Sequence, residues 1–216
     1  MLLNIDLVSD FVCPWCFIGK TRLERALADL RAARPEVETH INWLPFFLNP
    51  DTPAEGEPYR AFLEAKFGGP AAVDAMWAKV AEAGAPDVSF AFDRIRTRPN
   101  TLPAHRLIYR AQASGAAADK VARLANDLFV AHFQQGRDIG DIDTLVELAS
   151  PDGGKADAFR NYLKSDADAD TVRRMAGQVQ QQGISAVPFF IFNRKIAVSG
   201  AQSAGALGAA MLQALE

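Results

Sequence analysis

Both cysteines of this chain lie within four residues, as Cys13-Pro14-Trp15-Cys16. They follow an apolar stretch directly and open a segment of helical periodicity, and no other feature constrains the fold as much. Residues 2–8 read as a strand, and residues 19–34 carry Leu23, Ala26, Leu27 and Leu30 at helical spacing. Residues 37–48 are rich in β-branched and aromatic side chains and stop at Asn49-Pro50-Asp51, so they read as a second strand. A strand, a helix and a strand in that order predict a parallel βαβ unit with the cysteine pair at the first strand-to-helix junction.

The rest of the chain falls into two parts. Residues 49–58 hold three prolines and a glycine and read as a linker. Helical spacing follows at 59–67, 71–83, 102–114, 117–134, 142–149, 155–164 and 168–182, interrupted by an alternating, extended pattern over 87–98. Residues 186–193 and 195–199 then form a predicted hairpin turning at Asn193-Arg194, before a last helix over 203–215. The order βαβ, helical block, ββα predicts an α/β fold split by a helical insertion. Residues 1–54 and 181–216 would form the discontinuous α/β domain, and 55–180 the inserted one.

Composition narrows the function classes. At 216 residues, 49% hydrophobic and 23% charged, the chain can bury a full core and is neither disordered nor fibrous. Lys plus Arg total 23 against 26 Asp plus Glu, and the resulting charge of −3 provides no basic field for nucleic acid. Every apolar run is too short to span a bilayer, so no membrane partner is expected. The first residues lack the basic region and long apolar run of a signal peptide, which suggests a cytoplasmic protein. In such a reducing compartment a structural disulfide is disfavoured, and chemistry becomes the leading explanation of the cysteine pair.

A thiol attacks as thiolate, and a cysteine at a helix N-terminus can have its pKa lowered to about 3.5 to 7.5. Pro14 suits the first helical position, where its missing N–H costs nothing. The expected arrangement presents Cys13 outward as nucleophile and tucks Cys16 one turn later as the resolving thiol. Trp15, exposed between them, would pack on substrate. Lys20 reads as a solvated surface lysine, and Asp10 as a turn or capping residue. Zinc would need about four ligands, but there is no second CxxC and His40, His105 and His132 lack paired spacing, so no metal is expected. Val187-Pro188 opens the late strand, where a proline must take a strand start, edge or bulge. Asn100 and Thr101 precede a helix, which is first a capping signal and second a possible ligand contact. His132 lies on the apolar stripe of its helix and reads as a core histidine, and Trp43 and Trp77 as core.

Ser9-Asp10-Phe11-Val12-Cys13-Pro14-Trp15-Cys16 with Gly19, together with Val187-Pro188-Phe189-Phe190 and Ser199-Gly200-Ala201-Gln202, resembles the DsbA family of thioredoxin-fold oxidoreductases. The FrnE-like branch is the closer resemblance, through Asn49-Pro50-Asp51, Glu55-Gly56, Asn100-Thr101, Ala104-His105-Arg106-Leu107 and Gly136-Arg137-Asp138-Ile139. It implies a thioredoxin fold split by the helical insertion domain, with Pro188 in cis opposite the cysteine pair. It also implies a substrate site at Pro14, Trp15, Val187, Pro188, Asn100 and Thr101, with Cys13 and Cys16 catalytic. The expected activity is thiol–disulfide exchange on a disulfide- or thiol-containing protein or small molecule, with no bound cofactor and glutathione as a candidate redox partner. The same resemblance reaches the 2-hydroxychromene-2-carboxylate isomerases and kappa-class glutathione transferases. Those usually carry serine at the position of Cys13 and need no CxxC, so a glutathione-dependent isomerase or transferase is the alternative. A catalytically silent binding module is a third class.

Overall fold

A computed structural model describes residues 1–216. The chain runs through β1 (Leu2–Ser9), α1 (Pro14–Ala33) and β2 (Glu38–Pro45). It continues with β3 (Glu57–Pro58), α2 (Tyr59–Phe67), α3 (Pro70–Gly84), a 3-10 turn at Phe92–Arg94, β4 (Thr97–Arg98), α4 (Leu102–Ala113), α5 (Ala118–Phe133), α6 (Ile142–Ala149), α7 (Ala156–Lys164) and α8 (Ala169–Gln181). The last elements are β5 (Phe189–Phe192), β6 (Ile196–Ser199) and α9 (Ala204–Leu215). Two compact units result, one of Met1–Phe46 with Met175–Glu216 and one of Phe47–Arg174. The sequence placed these boundaries at 54/55 and 180/181, so each lies several residues earlier than expected.

The first unit is built on a four-stranded sheet in the order β2-β1-β5-β6. β1 pairs with β2 in parallel and with β5 antiparallel, and β5 pairs with β6 antiparallel. Because side chains alternate across a strand, the register sorts the apolar residues into two layers. Ile5 opposite Phe192 and Leu7 opposite Phe190 make one face, fully buried, with the two phenylalanine rings parallel at 6.4 Å. Val8 opposite Phe189 opens the other face, where Phe46, Val179, Ile184, Leu44, Val187 and Ile191 close over it. Helices α1 and α9 pack on one another, and α9 also meets β1, β5 and β6.

Asn193 and Arg194 form the hairpin turn, both with left-handed φ of 50° and 57°. Asparagine tolerates that conformation, and its side chain is used here as well. It accepts from the Asn4 N–H at 2.9 Å and donates to the Ala214 carbonyl at 3.0 Å, tying the turn to β1 and to the end of α9. Ser203 caps α9 by accepting from the Ala206 N–H.

The second unit is helical apart from β3 and β4, which pair over two residues. Its aromatic residues stack in series, with Tyr59 on Trp77 at 6.1 Å, Trp77 on Phe92 at 5.4 Å and Phe92 on Phe90 at 4.8 Å. His132 is fully buried and meets Tyr59 and Phe133 edge-on. Residues 87–98 are a correction to the sequence reading. Their alternation serves the aromatic stack rather than a sheet, and only Thr97–Arg98 is strand. Arg98 pairs with Glu57 across that short ladder, and its guanidinium lies 3.6 Å from the Phe62 ring. Arg106, 4% exposed, donates to the carbonyls of Tyr162, Leu163, Ser165 and Ala167, four acceptors around the end of α7. No helix is long and apolar enough to cross a membrane.

Candidate active site

The cysteine pair is placed by the way β1 ends. After Ser9 the chain turns, and the Cys13 N–H closes the turn on the Asp10 carbonyl at 3.1 Å. Cys13 is the N-cap residue of α1, with extended backbone and no side-chain capping bond. Its carbonyl accepts from the N–H groups of Cys16 at 3.0 Å and Phe17 at 3.3 Å. Helix α1 begins with Pro14, five residues before the periodicity alone suggested, because apolar spacing does not register a first turn built on proline and two cysteines. Both cysteines are free thiols.

Cys13 does not point outward. The residue is 4% exposed, since its Sγ lies against the Val187 carbonyl, to which the thiol donates at 3.7 Å. That contact crosses 174 positions of sequence, so strand and helix patterns could not show it. Pro14 and Trp15 are half-buried, and Trp15 is less open than expected. Pro188 is buried, and the Val187–Pro188 peptide bond is cis, as the resemblance implied. Thus Cys13, Cys16, Val187 and Pro188 come together in the first unit.

Gly19 makes this approach possible. A Cβ on Gly19 would stand 2.8 Å from Pro188 Cγ and 3.2 Å from Phe190 Cζ, inside normal contact distance. Glycine lets α1 lie directly on the proline ring. Sequence spacing assigns Gly19 no role, and only the packing supplies one.

Cys16 is fully buried, and its thiol is pushed well above the ordinary cysteine value. Burial is the main cause, because a thiolate there loses its water, and a hydrogen bond and charge from Cys13 add to it. The Ser9 hydroxyl and the Asp10 backbone act in the opposite direction. The pair is therefore asymmetric, with one sulfur at the edge of the helix and the other sealed beneath it.

Several other sequence expectations change. Lys20 is 3% exposed rather than solvated, and its Nζ pairs with Glu24 at 2.9 Å on the next turn. A lysine can bury its aliphatic stem and still place its charge on a more exposed carboxylate. Asn100 and Thr101 belong to the second unit. The Asn100 side chain accepts from the Leu102 N–H at 3.0 Å and donates to the Thr52 carbonyl at 2.7 Å, so it supports the start of α4. Thr101 is the N-cap residue, but its hydroxyl makes no capping bond. His105 is buried with its ring edge-on to Phe47 at 5.2 Å. No group of three or more His, Cys, Asp or Glu side chains is arranged to hold a metal ion.

A four-stranded sheet with this order, a helix-capping dithiol and a cis proline beside it suggest one kind of fold, and residues 4–211 match the DSBA-like thioredoxin domain. The chain belongs to that family. The DSBA-like fold is that of thiol oxidoreductases, and the family acts on thiols or disulfides. This DSBA-like protein is 31% identical to a probable DsbA oxidoreductase, SCO1869, from Streptomyces coelicolor, covering 99% of this chain and 90% of that one with a TM-score of 0.85. A 2-hydroxychromene-2-carboxylate isomerase shares the fold at 18% identity, over 97% of this chain and 95% of that one, with a TM-score of 0.66. The cytosolic disulfide reductase DsbM from Pseudomonas aeruginosa, solved with glutathione, shares it at 17% identity over 98% of both chains, with a TM-score of 0.55.

Proposed function

We propose that this protein is a cytoplasmic dithiol–disulfide oxidoreductase of the FrnE-like kind, working through Cys13 and Cys16. The observation that carries this reading is the pair itself: a thiol at the N-cap of α1, beside the Val187 carbonyl, with a sealed second thiol within hydrogen-bonding reach. The Cys13 thiolate attacks one sulfur of a substrate disulfide, forming a mixed disulfide and releasing the other sulfur as a thiolate. Cys16 then gives up its proton and attacks Cys13 Sγ. The Cys13–Cys16 bond forms, the mixed disulfide breaks, and the second substrate sulfur leaves with the electron pair. Two electrons pass to the substrate, and the reverse sequence oxidises a substrate dithiol.

Helix α1 directs the partial positive charge of its N-terminus toward the site of exchange. The Val187 carbonyl and Pro188 lie where an extended substrate would run past the sulfur, and Pro14 and Trp15 would border it. Asn100 and Thr101 enter as candidate ligand contacts only. Glutathione is the small thiol we propose as redox partner, and a disulfide-containing protein or small molecule the substrate. The competing reading, a glutathione-dependent isomerase or transferase, draws on the fold shared with the isomerase.

Equilibration in glutathione buffers of graded ratio, followed by thiol alkylation and mass measurement, separates the two. Exchange chemistry requires a reversible Cys13–Cys16 disulfide with a potential between roughly −120 and −270 mV. A protein that takes up glutathione at Cys13 and never closes the internal disulfide would overturn this proposal in favour of the alternative.

A further inference from the structure

Ser9 is the last residue of β1 and 2% exposed. The strand register leaves its backbone occupied, with its carbonyl accepting from the Phe46 N–H at 3.0 Å, while its hydroxyl oxygen is buried with no partner apart from the Cys16 sulfur on which it acts. A buried hydroxyl has lost its water, so one whose remaining contact is a reactive sulfur is informative. The group beside it is Cys16, which is 0% exposed. The turn explains the placement: the Cys13 N–H folds back on the Asp10 carbonyl and the Cys16 N–H on the Cys13 carbonyl, so the chain holds Cys16 close to the end of β1.

We infer that the Ser9 hydroxyl is the donor that steadies the Cys16 thiolate, a contact that strengthens when Cys16 loses its proton and attacks. This rests on the exchange reaction proposed above. During that step Cys16 gives up its proton, forms its bond to Cys13 Sγ, and displaces the substrate sulfur, which leaves as a thiolate and takes up a proton. For the moment that Cys16 is charged it has no water, and burial works against it. A hydroxyl turning its proton toward the sulfur, together with the Asp10 backbone, stabilises that charge, and both act on Cys16 in this direction. Ser9 thereby sets how fast a mixed disulfide resolves, without touching the sulfur that substrate meets first.

The test uses full-length protein carrying glutathione in a preformed mixed disulfide at Cys13, with glutathione release measured against pH. Ser9→Val and Ser9→Thr have the same shape and differ only in the hydroxyl. Ser9→Val is expected to slow release near neutral pH by about ten- to a hundredfold, the worth of one hydrogen bond to a charged group. Its pH profile should shift upward, while Ser9→Thr stays close to the parent. The alkylation rate of Cys13 in the reduced proteins should be the same in all three, which a general distortion of the site would not allow. Equal release from the Val and Thr variants would overturn the assignment, as would a parallel loss of Cys13 reactivity. A parent protein that never releases glutathione would refute the exchange reaction itself. Ser9 would then be judged by thiolate absorbance of Cys16 in Cys13→Ser protein, where Ser9→Val must still raise the titration midpoint relative to Ser9→Thr.

Discussion

Cys13 and Cys16 differ in burial by a few per cent, yet their chemical positions are opposed. Cys13 caps a helix and meets a carbonyl from the far end of the chain, whereas Cys16 is fully enclosed and held protonated. Each therefore has its own expected phenotype. Cys13→Ser should abolish disulfide exchange, while Cys16→Ser should retain attack but accumulate mixed disulfides at Cys13, visible by mass after incubation with a model disulfide. Equal adduct formation by both variants would reverse the assignment of roles. Because Cys16 is raised above the ordinary thiol range, resolution should accelerate with pH by about tenfold per unit through neutrality. A resolution rate flat between about pH 6 and pH 8 would show that Cys16 ionisation does not limit the step.

Among the elements, α1 matters most because it carries both sulfurs and must lie against β5. Gly19 sets that distance. Gly19→Ala gains up to about 1 kcal/mol of helix propensity but forces a methyl group against a rigid proline ring, with an overpacking cost of roughly 1–3 kcal/mol. The net expectation is a lower unfolding midpoint in urea together with a changed Cys13 alkylation rate, and an unchanged midpoint would show that the helix can shift freely. In the second unit Arg106 is the corresponding fixed point, satisfying four carbonyls with one side chain. Arg106→Ala should destabilise by about 3–5 kcal/mol, since buried acceptors lose a charged donor. Hydrogen exchange localised to α7 would identify the cause, and native-like protection there would refute it. Sequence periodicity found α4 and α7 to within a residue and α1 from its second turn onward, but neither fixed point, because each depends on atoms many positions away.

For the molecule as a whole, buried groups with raised pKa values set the alkaline limit. Tyr59, 6% exposed, is pushed up from 10.0 to about 12 by burial among its aromatic neighbours. A group whose folded pKa is raised contributes stability that is complete below the unfolded value and lost as pH rises through the folded one. Tyr59 alone should remove roughly 3 kcal/mol between about pH 10 and pH 12, and Cys16 acts in the same direction above the usual thiol range. Urea unfolding of the dithiol protein should therefore weaken steadily over that range. Tyr59→Phe should flatten the dependence, and an unaltered slope would exclude Tyr59 as its source.

The sequence by itself determined the order of elements, the split α/β organisation and the cysteine pair at a strand-to-helix junction. Those properties are local: hydrophobic period, turn residues and a motif of four positions specify them without reference to distant parts of the chain. The family resemblance added the cis proline and the thioredoxin fold. Only the tertiary structure decided that Cys13 is covered by the Val187 carbonyl, that Lys20 is buried, that Asn100 rather than Thr101 supports α4, and that Ser9 sets a buried hydroxyl beside Cys16. Each of these depends on which atoms the fold brings within a few ångströms. Burial and pairing are properties of that neighbourhood, and one-dimensional spacing does not encode it.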